Sequence, residues 1–180
     1  LMLLLGRNAA IGQSGNKPIY LTSAQALEVM FSRVEKNLIK TAEVMPADKY
    51  SFIPPVGEFK GVRTFGQQLK HLSATNFILG AAALGEKPPA DAGDETGPDT
   101  VRTKAEIINY LKASFDYLHK AMLSIDEKNR VIKSSSVSPM LEGTASRLGL
   151  VVESLIHAYD HYGQMVEYLR MNNVIPPASM

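Results

Sequence analysis

Residues 103–125 read Thr-Lys-Ala-Glu-Ile-Ile-Asn-Tyr-Leu-Lys-Ala-Ser-Phe-Asp-Tyr-Leu-His-Lys-Ala-Met-Leu-Ser-Ile. Ile108, Leu111, Phe115, Leu118, Met122 and Ile125 recur at three- and four-residue spacing. That is the period of one face of an α-helix, so the stretch predicts an amphipathic helix over 104–125 whose apolar seam packs inside a bundle. Thr103-x-x-Glu106 at its start is a capping box, in which hydroxyl and carboxylate each answer a backbone N–H that the first turn leaves unpaired.

Three more segments carry the same period. The first spans about 23–45, with Leu27, Phe31, Val34, Leu38 and Ala42 in phase behind Thr22-x-x-Gln25, and Pro46 ends it. The second spans about 65–84 behind Thr64-x-x-Gln67, with Phe65, Leu69, Leu72 and Leu79 lining one side and Gly85 closing it. The fourth spans about 145–171 and is apolar nearly all round, as expected of a helix with neighbours on several sides. Asn172 and Asn173 suit a left-handed cap, and Pro176-Pro177 prevents continuation. No segment reads as a strand pair and no internal repeat is found. The expected fold is all-α, a four-helix bundle. The connectors, about 46–63, 86–102 and 126–143, exceed the usual two to eight residues of bundle loops, so each is long enough to cross between parallel neighbours.

The chain has 180 residues, 45% apolar and 21% charged, which is the balance of a single soluble globular domain. Nineteen basic and eighteen acidic side chains leave a net charge of +1, no electrostatic footprint for nucleic acid or an anionic membrane. Cysteine is absent, which excludes disulfides, thiolate metal ligands and a cysteine nucleophile, so any metal must be held by nitrogen or oxygen. The apolar run 1–5 is far too short to cross a bilayer. Residues 1–21 read as a tail outside the domain, a signal-peptide remnant or a cloning remnant, and 22–180 as the helical domain. The default location is the cytoplasm, with export instead if 1–12 is the end of a signal peptide.

Four histidines remain as metal ligands. His157 and His161 stand four residues apart in the fourth helix, one turn above the other, a spacing that suits two adjacent positions on one ion. At 100° per residue they share a sector with Leu150, Glu153, Gln164 and Tyr168. This polar stripe on an otherwise apolar helix needs water or a ligand to offset the cost of its burial. A third ligand must come from another helix. His71 lies on the inner side of the second helix beside Leu69 and Leu72, where a hydrogen-bonded core histidine is the alternative. His119, at the edge of the seam next to a solvent-directed Lys120, reads as a boundary residue. Glu153, one turn before His157, is the candidate general base or a partner to a metal ligand, with a salt bridge to Arg147 or another basic residue as the alternative. Gln164 is a candidate pocket-lining residue for a cofactor. Asp160 is placed to orient a histidine N–H, and Tyr159 and Tyr162 read as packing residues.

With these residues in view, the chain resembles the DinB-like family, metal-binding four-helix proteins that include the YfiT-like thiol transferases. The resemblance runs over nearly all of the sequence after the tail. It rests on Met45-Pro46-Ala-Asp-Lys-Tyr50 with Pro54-Pro55; on Val62-Arg-Thr-Phe-Gly-Gln-Gln-Leu-Lys-His71-Leu; and on residues 155–170, from Leu155-Ile-His157-Ala-Tyr-Asp-His161 to Tyr168-Leu-Arg170, followed by Asn172-Asn-Val-Ile-Pro-Pro177. One departure is Asn173, where the family has glycine. The resemblance implies an up-down-down-up order of helices with a long crossover between the second and third. It also implies that His71, His157 and His161 form a facial triad for nickel, zinc or iron. The activity it implies is that of a metal-dependent enzyme, a small-thiol S-transferase or a hydrolase acting on small electrophiles, with a non-catalytic metal- or ligand-binding stress-response protein as the alternative. A small-molecule substrate, a low-molecular-weight thiol drawn from solution and a homodimeric assembly complete the expectation.

Overall fold

The computed structural model describes residues 21–89, 92, 95–125, 131–133 and 144–180. The reading of 1–21 as a tail or signal remnant therefore falls, apart from the exposed Leu21, outside the described residues. Four long helices dominate: α1 (Ser23–Val44), α2 (Phe65–Leu84), α3 (Lys104–Leu123) and α4 (Arg147–Met171). The first three begin at the expected capping boxes. At α2, Thr64 Oγ1 accepts the Gln67 N–H at 3.2 Å while Gln67 Oε1 accepts the Thr64 N–H at 2.8 Å. Thr64→Ala removes the first of these bonds and is expected to cost about 1 kcal/mol, read as a lower urea midpoint at unchanged slope. Gly85 ends α2 in the left-handed conformation at φ 74°. Asn173 does so after α4 at φ 58°, and the Val174 N–H returns to the Leu169 carbonyl.

The seam of α3 packs as its period requires: Leu111, Phe115, Leu118 and Met122 are fully buried and meet Phe31, Val34 and Leu38 of α1 and Leu69 and Leu72 of α2 in one core. The expectation for α2 and α4 is reversed. Sixteen of the twenty residues of α2 are buried, so it is the helix with neighbours on several sides, whereas α4 leaves Ile156, Tyr159 and Met171 exposed. The cause is residue size. Gly66, Ser73, Ala74, Thr75, Gly80 and Ala81 to Ala83 bury small side chains that add little to an apolar periodicity but let neighbours approach. A Cβ added to Gly80 would sit 3.1 Å from Tyr117 Cδ1 of α3, and one added to Gly66 3.2 Å from Tyr50 Cδ1.

Side-chain pairs give the register of the helices. Between α2 and α3, Gly66 faces Ile107, Asn76 Nδ2 donates to Ser114 Oγ at 3.1 Å and Gly80 faces Tyr117 and Leu118, so residue numbers rise together. Between α2 and α4 they run oppositely, since Gln68 pairs with Gln164 and His71 with His157. The same holds between α1 and α3, where Lys112 reaches Glu43 and His119 reaches Glu28 and Glu35.

A two-stranded antiparallel ribbon, β1 (Val131–Lys133) and β2 (Thr144–Ser146), departs from the expectation that no strands pair. Strands of three residues are too short to show an alternating pattern. The ribbon also moves the start of α4 from 145 to Arg147, where Ser146 Oγ accepts the Gly149 N–H as the cap. Among the described residues no helix is long and apolar enough to cross a membrane.

His119 bridges α1 and α3, its two ring nitrogens 2.9 Å from carboxylate oxygens of Glu28 and Glu35. Burial opposes its charge, but the bonds to Glu35 and Glu28 outweigh this and raise its pKa above the ordinary histidine value. A histidine whose folded pKa exceeds its unfolded one contributes stability that is complete below about pH 6.5 and is lost as pH rises through the raised folded value. Wild type is therefore expected to lose stability over that interval relative to His119→Gln, whose profile lacks this component. Parallel profiles in urea titrations across the same range would contradict the assignment.

Candidate metal centre

Helix α4 presents His157 and His161 one turn apart, and α2 brings His71 to meet them. His71 and His161 are each only 6% exposed, and His157 is half-buried. Buried Leu69 and Leu72 hold the His71 turn of α2, and buried Ala158 and Met165 flank His161 on α4. The three rings pack edge to face, with centroids 5.0, 5.0 and 4.4 Å apart. Their Nε2 atoms converge: His157 Nε2 lies 3.1 Å from His71 Nε2 and 2.9 Å from His161 Nε2.

The protonation state follows from these contacts. His71 Nδ1 lies 2.7 Å from the Glu95 carbonyl, which only accepts, so Nδ1 carries the proton and Nε2 a lone pair. Burial, then the neighbouring His71, lowers the His157 pKa to about 4. Burial, followed by His157 and His71, lowers that of His161 to about 3. His71 is also lowered, chiefly by burial. All three are therefore neutral at pH 7, the form that binds metals.

Protein groups alone do not satisfy such a cluster. His157 Nε2 faces two other Nε2 atoms, and a neutral nitrogen either donates or accepts, so it answers one of them at most. The Nδ1 atoms of His157 and His161 are buried with no hydrogen-bond partner, so shifting protons between ring positions moves the deficit without removing it. A cation facing the three Nε2 lone pairs resolves the conflict among the Nε2 atoms, with the ring protons of His157 and His161 then on Nδ1. Imidazole–metal bonds of about 2.0–2.1 Å place adjacent ligand nitrogens about 2.9–3.4 Å apart, and the two separations from His157 Nε2, 3.1 and 2.9 Å, fall in that range. Among the described residues these three form the one group of histidines and carboxylates whose ligand atoms lie close enough to hold a metal, all within 4.8 Å of one another.

The triad opens on a cavity of about 390 Å³ lined by Arg63, His71, Thr75, Glu95, Glu153, Ile156, His157 and Asp160. Glu153 is thus in the same cavity as two of the triad histidines, half-buried and without a salt bridge to Arg147. Gln164 lies elsewhere. It is exposed, joins Gln68 and Asp160 by hydrogen bonds of 3.0 and 2.8 Å, and lines a neighbouring apolar cavity of about 360 Å³ with Phe59, Val62, Tyr168 and Met171. Asp160 spends its carboxylate on Gln164 and orients no histidine. Tyr162 packs against the core as expected, whereas Tyr159 is 40% exposed.

Two contributors had no assigned role in the sequence. Glu95 acts through its carbonyl, held at φ 63°, which no side-chain pattern records. Arg63 directly precedes the Thr64 cap of the helix that carries His71, and that position was its available signal. Its carbonyl accepts the Tyr168 hydroxyl at 3.1 Å, which ties this segment to α4.

The fold has solved counterparts. A proposed member of the DinB family from Exiguobacterium sibiricum 255-15 superposes with a TM-score of 0.63 at 16% identity, covering 86% of this chain and 95% of the other. A conserved protein from Enterococcus faecalis gives 0.64 at 16% identity, covering 84% and 97%. At such identity the likeness concerns the fold. No curated protein matches the sequence. The sequence model of the DinB superfamily matches residues 30–165, a span that runs from within α1 through the His71 turn of α2 to four residues past His161. With that match over three quarters of its length, the chain belongs to the DinB superfamily.

Proposed function

We propose that the protein is a metal-dependent enzyme in which His71, His157 and His161 hold one divalent ion, nickel, zinc or iron, and which acts on small electrophiles as a thiol S-transferase or hydrolase. The observation that carries this reading is the cluster of three neutral histidines, their ligand atoms within 4.8 Å of one another, beside a cavity. Three histidines leave open positions on an ion, as catalytic rather than structural sites do. When bound, the ion supplies Lewis acidity that makes a water or thiol ionise near neutral pH.

The chain's own residues provide the remainder. His71 is fixed in one tautomer by the Glu95 carbonyl. Glu153 lies in the same cavity and takes up the proton released by the incoming nucleophile. The cavity size suits a small-molecule substrate. The chain has no cysteine, so a reacting thiol comes from solution. The side-chain pairings of the helices support an up-down-down-up order in which the connector between α2 and α3 is the crossover and delivers Glu95 to the site.

A turnover screen of metal-loaded protein tests the reading, using low-molecular-weight thiols with epoxides and halo-aromatics and, separately, ester substrates. Turnover that falls at least about a hundredfold in Glu153→Gln at unchanged metal content is expected. Full metal occupancy with no turnover in any combination would instead favour a metal- or ligand-binding stress protein.

A further inference from the structure

A second cavity, of about 340 Å³, adjoins the triad cavity through Arg63, which lines both. Its wall comprises Gly61, Val62, Arg63, Gln67, Lys70, Thr96 and Asp99. Arg63 and Lys70 are half-buried, and among the described residues neither has a side-chain hydrogen bond or ion pair. The other ion-forming lysines and arginines, such as Lys112, Lys120 and Arg170, are more exposed and find carboxylates. Taking a guanidinium and an ammonium partly out of water without partners costs free energy, and proteins tolerate this where an anion completes the site. Asp99, the one acidic residue among the described residues of this wall, is exposed and pairs with neither cation, so these residues are net positive. The triad side of Arg63 carries Glu95, Glu153 and Asp160, so positive charge is concentrated on the far side.

Arg63 is also held in place. The Tyr168 hydroxyl binds its carbonyl and the next residue caps α2, so the side chain extends from a fixed backbone.

We propose that this second cavity is a carboxylate-docking subsite, in which Arg63 and Lys70 bind the anionic group of a small molecule whose reactive end reaches the triad cavity. A guanidinium is a planar fork matched to the two oxygens of a carboxylate, and Lys70 adds a point charge. The substrate class is accordingly an acid: a carboxylate-bearing thiol or a carboxylate-bearing electrophile. The placement of the reactive end rests on the metal-centre reading, whereas the anion site stands on Arg63 and Lys70 alone.

Two probes distinguish the sources of the carboxylate, S-methylglutathione for the thiol and succinate for a small acid. Each is titrated into the full chain, metal-free and metal-loaded, and followed by ¹H–¹⁵N chemical shifts. At least one probe is expected to saturate with a dissociation constant in the millimolar range or tighter, moving the amides of 61–70 and 95–97. The dimethyl ester of that probe is expected to bind at least roughly tenfold more weakly, and so is the acid with Arg63→Gln or Lys70→Gln; Arg63→Lys keeps part of the affinity. The inference is overturned if neither probe saturates by about 20 mM, if the ester binds as well as the acid, or if Arg63→Gln binds like wild type. Elemental analysis of the same samples scores the metal reading separately, because the metal-free titration does not depend on it. Binding confined to the metal-loaded protein and insensitive to Arg63→Gln would mean that the acid ligates the ion, and would also remove the subsite.

Discussion

Replacing any one of His71, His157 or His161 with alanine is expected to lower divalent-metal affinity by at least about a hundredfold and to abolish the stabilisation that metal confers. Loss of an outer hydrogen-bond partner alone costs about 10- to 100-fold in affinity, and these residues are the ligands themselves. Metal that binds the folded chain and not the unfolded one stabilises by about 2.7 kcal/mol at a hundredfold excess over its dissociation constant. For a domain of this size that is a rise in Tm of roughly 5–11 °C, reversed by a chelator. In the variants the Tm should not respond to metal or chelator. The comparison needs protein without a histidine tag, with bound metal measured by elemental analysis. Equal metal in wild type and His161→Ala would sink the triad assignment, because His161 is buried and its Nε2 lies 2.9 Å from that of His157.

Phe115→Ala is expected to be the most damaging single truncation in the seam of α3. The ring is fully buried in the core shared with α1 and α2. Deleting it removes the transfer free energy of the ring and leaves a cavity that the surrounding helices fill only in part, about 3–5 kcal/mol in all. Leu123, on the same helix but 76% exposed, is the control, and Leu123→Ala should change stability by less than about 0.5 kcal/mol. Urea denaturation of the two variants decides it. Similar losses in both would mean that the helix is turned differently about its axis.

The helices were legible in the sequence where large apolar residues recur and where a Thr-x-x-Gln or Thr-x-x-Glu box marks a start; Thr22, Thr64 and Thr103 all cap as their motifs predict. The central place of α2 was not, because Gly66, Ala74, Gly80 and their small neighbours are buried for what they lack, and a hydrophobic period weighs what side chains add. The β1–β2 ribbon escaped for want of length. At the site, the spacing of His157 and His161 announced itself, and the resemblance to a family supplied His71, which spacing left undecided between ligand and core residue. Glu95 was invisible because its contribution is a carbonyl, and Arg63 because only the folded chain brings it to the wall of the triad cavity. Asp160 was misread since its place beside the histidine sector says nothing of Gln164, which captures its carboxylate.

Diffraction from metal-loaded crystals, collected on both sides of the absorption edge of the bound metal, examines the three-histidine site without recourse to activity. A single anomalous peak is expected about 2.0–2.1 Å from the Nε2 atoms of His71, His157 and His161. A peak bound through other residues, or none between these rings in protein that elemental analysis shows to carry one metal per chain, would contradict it.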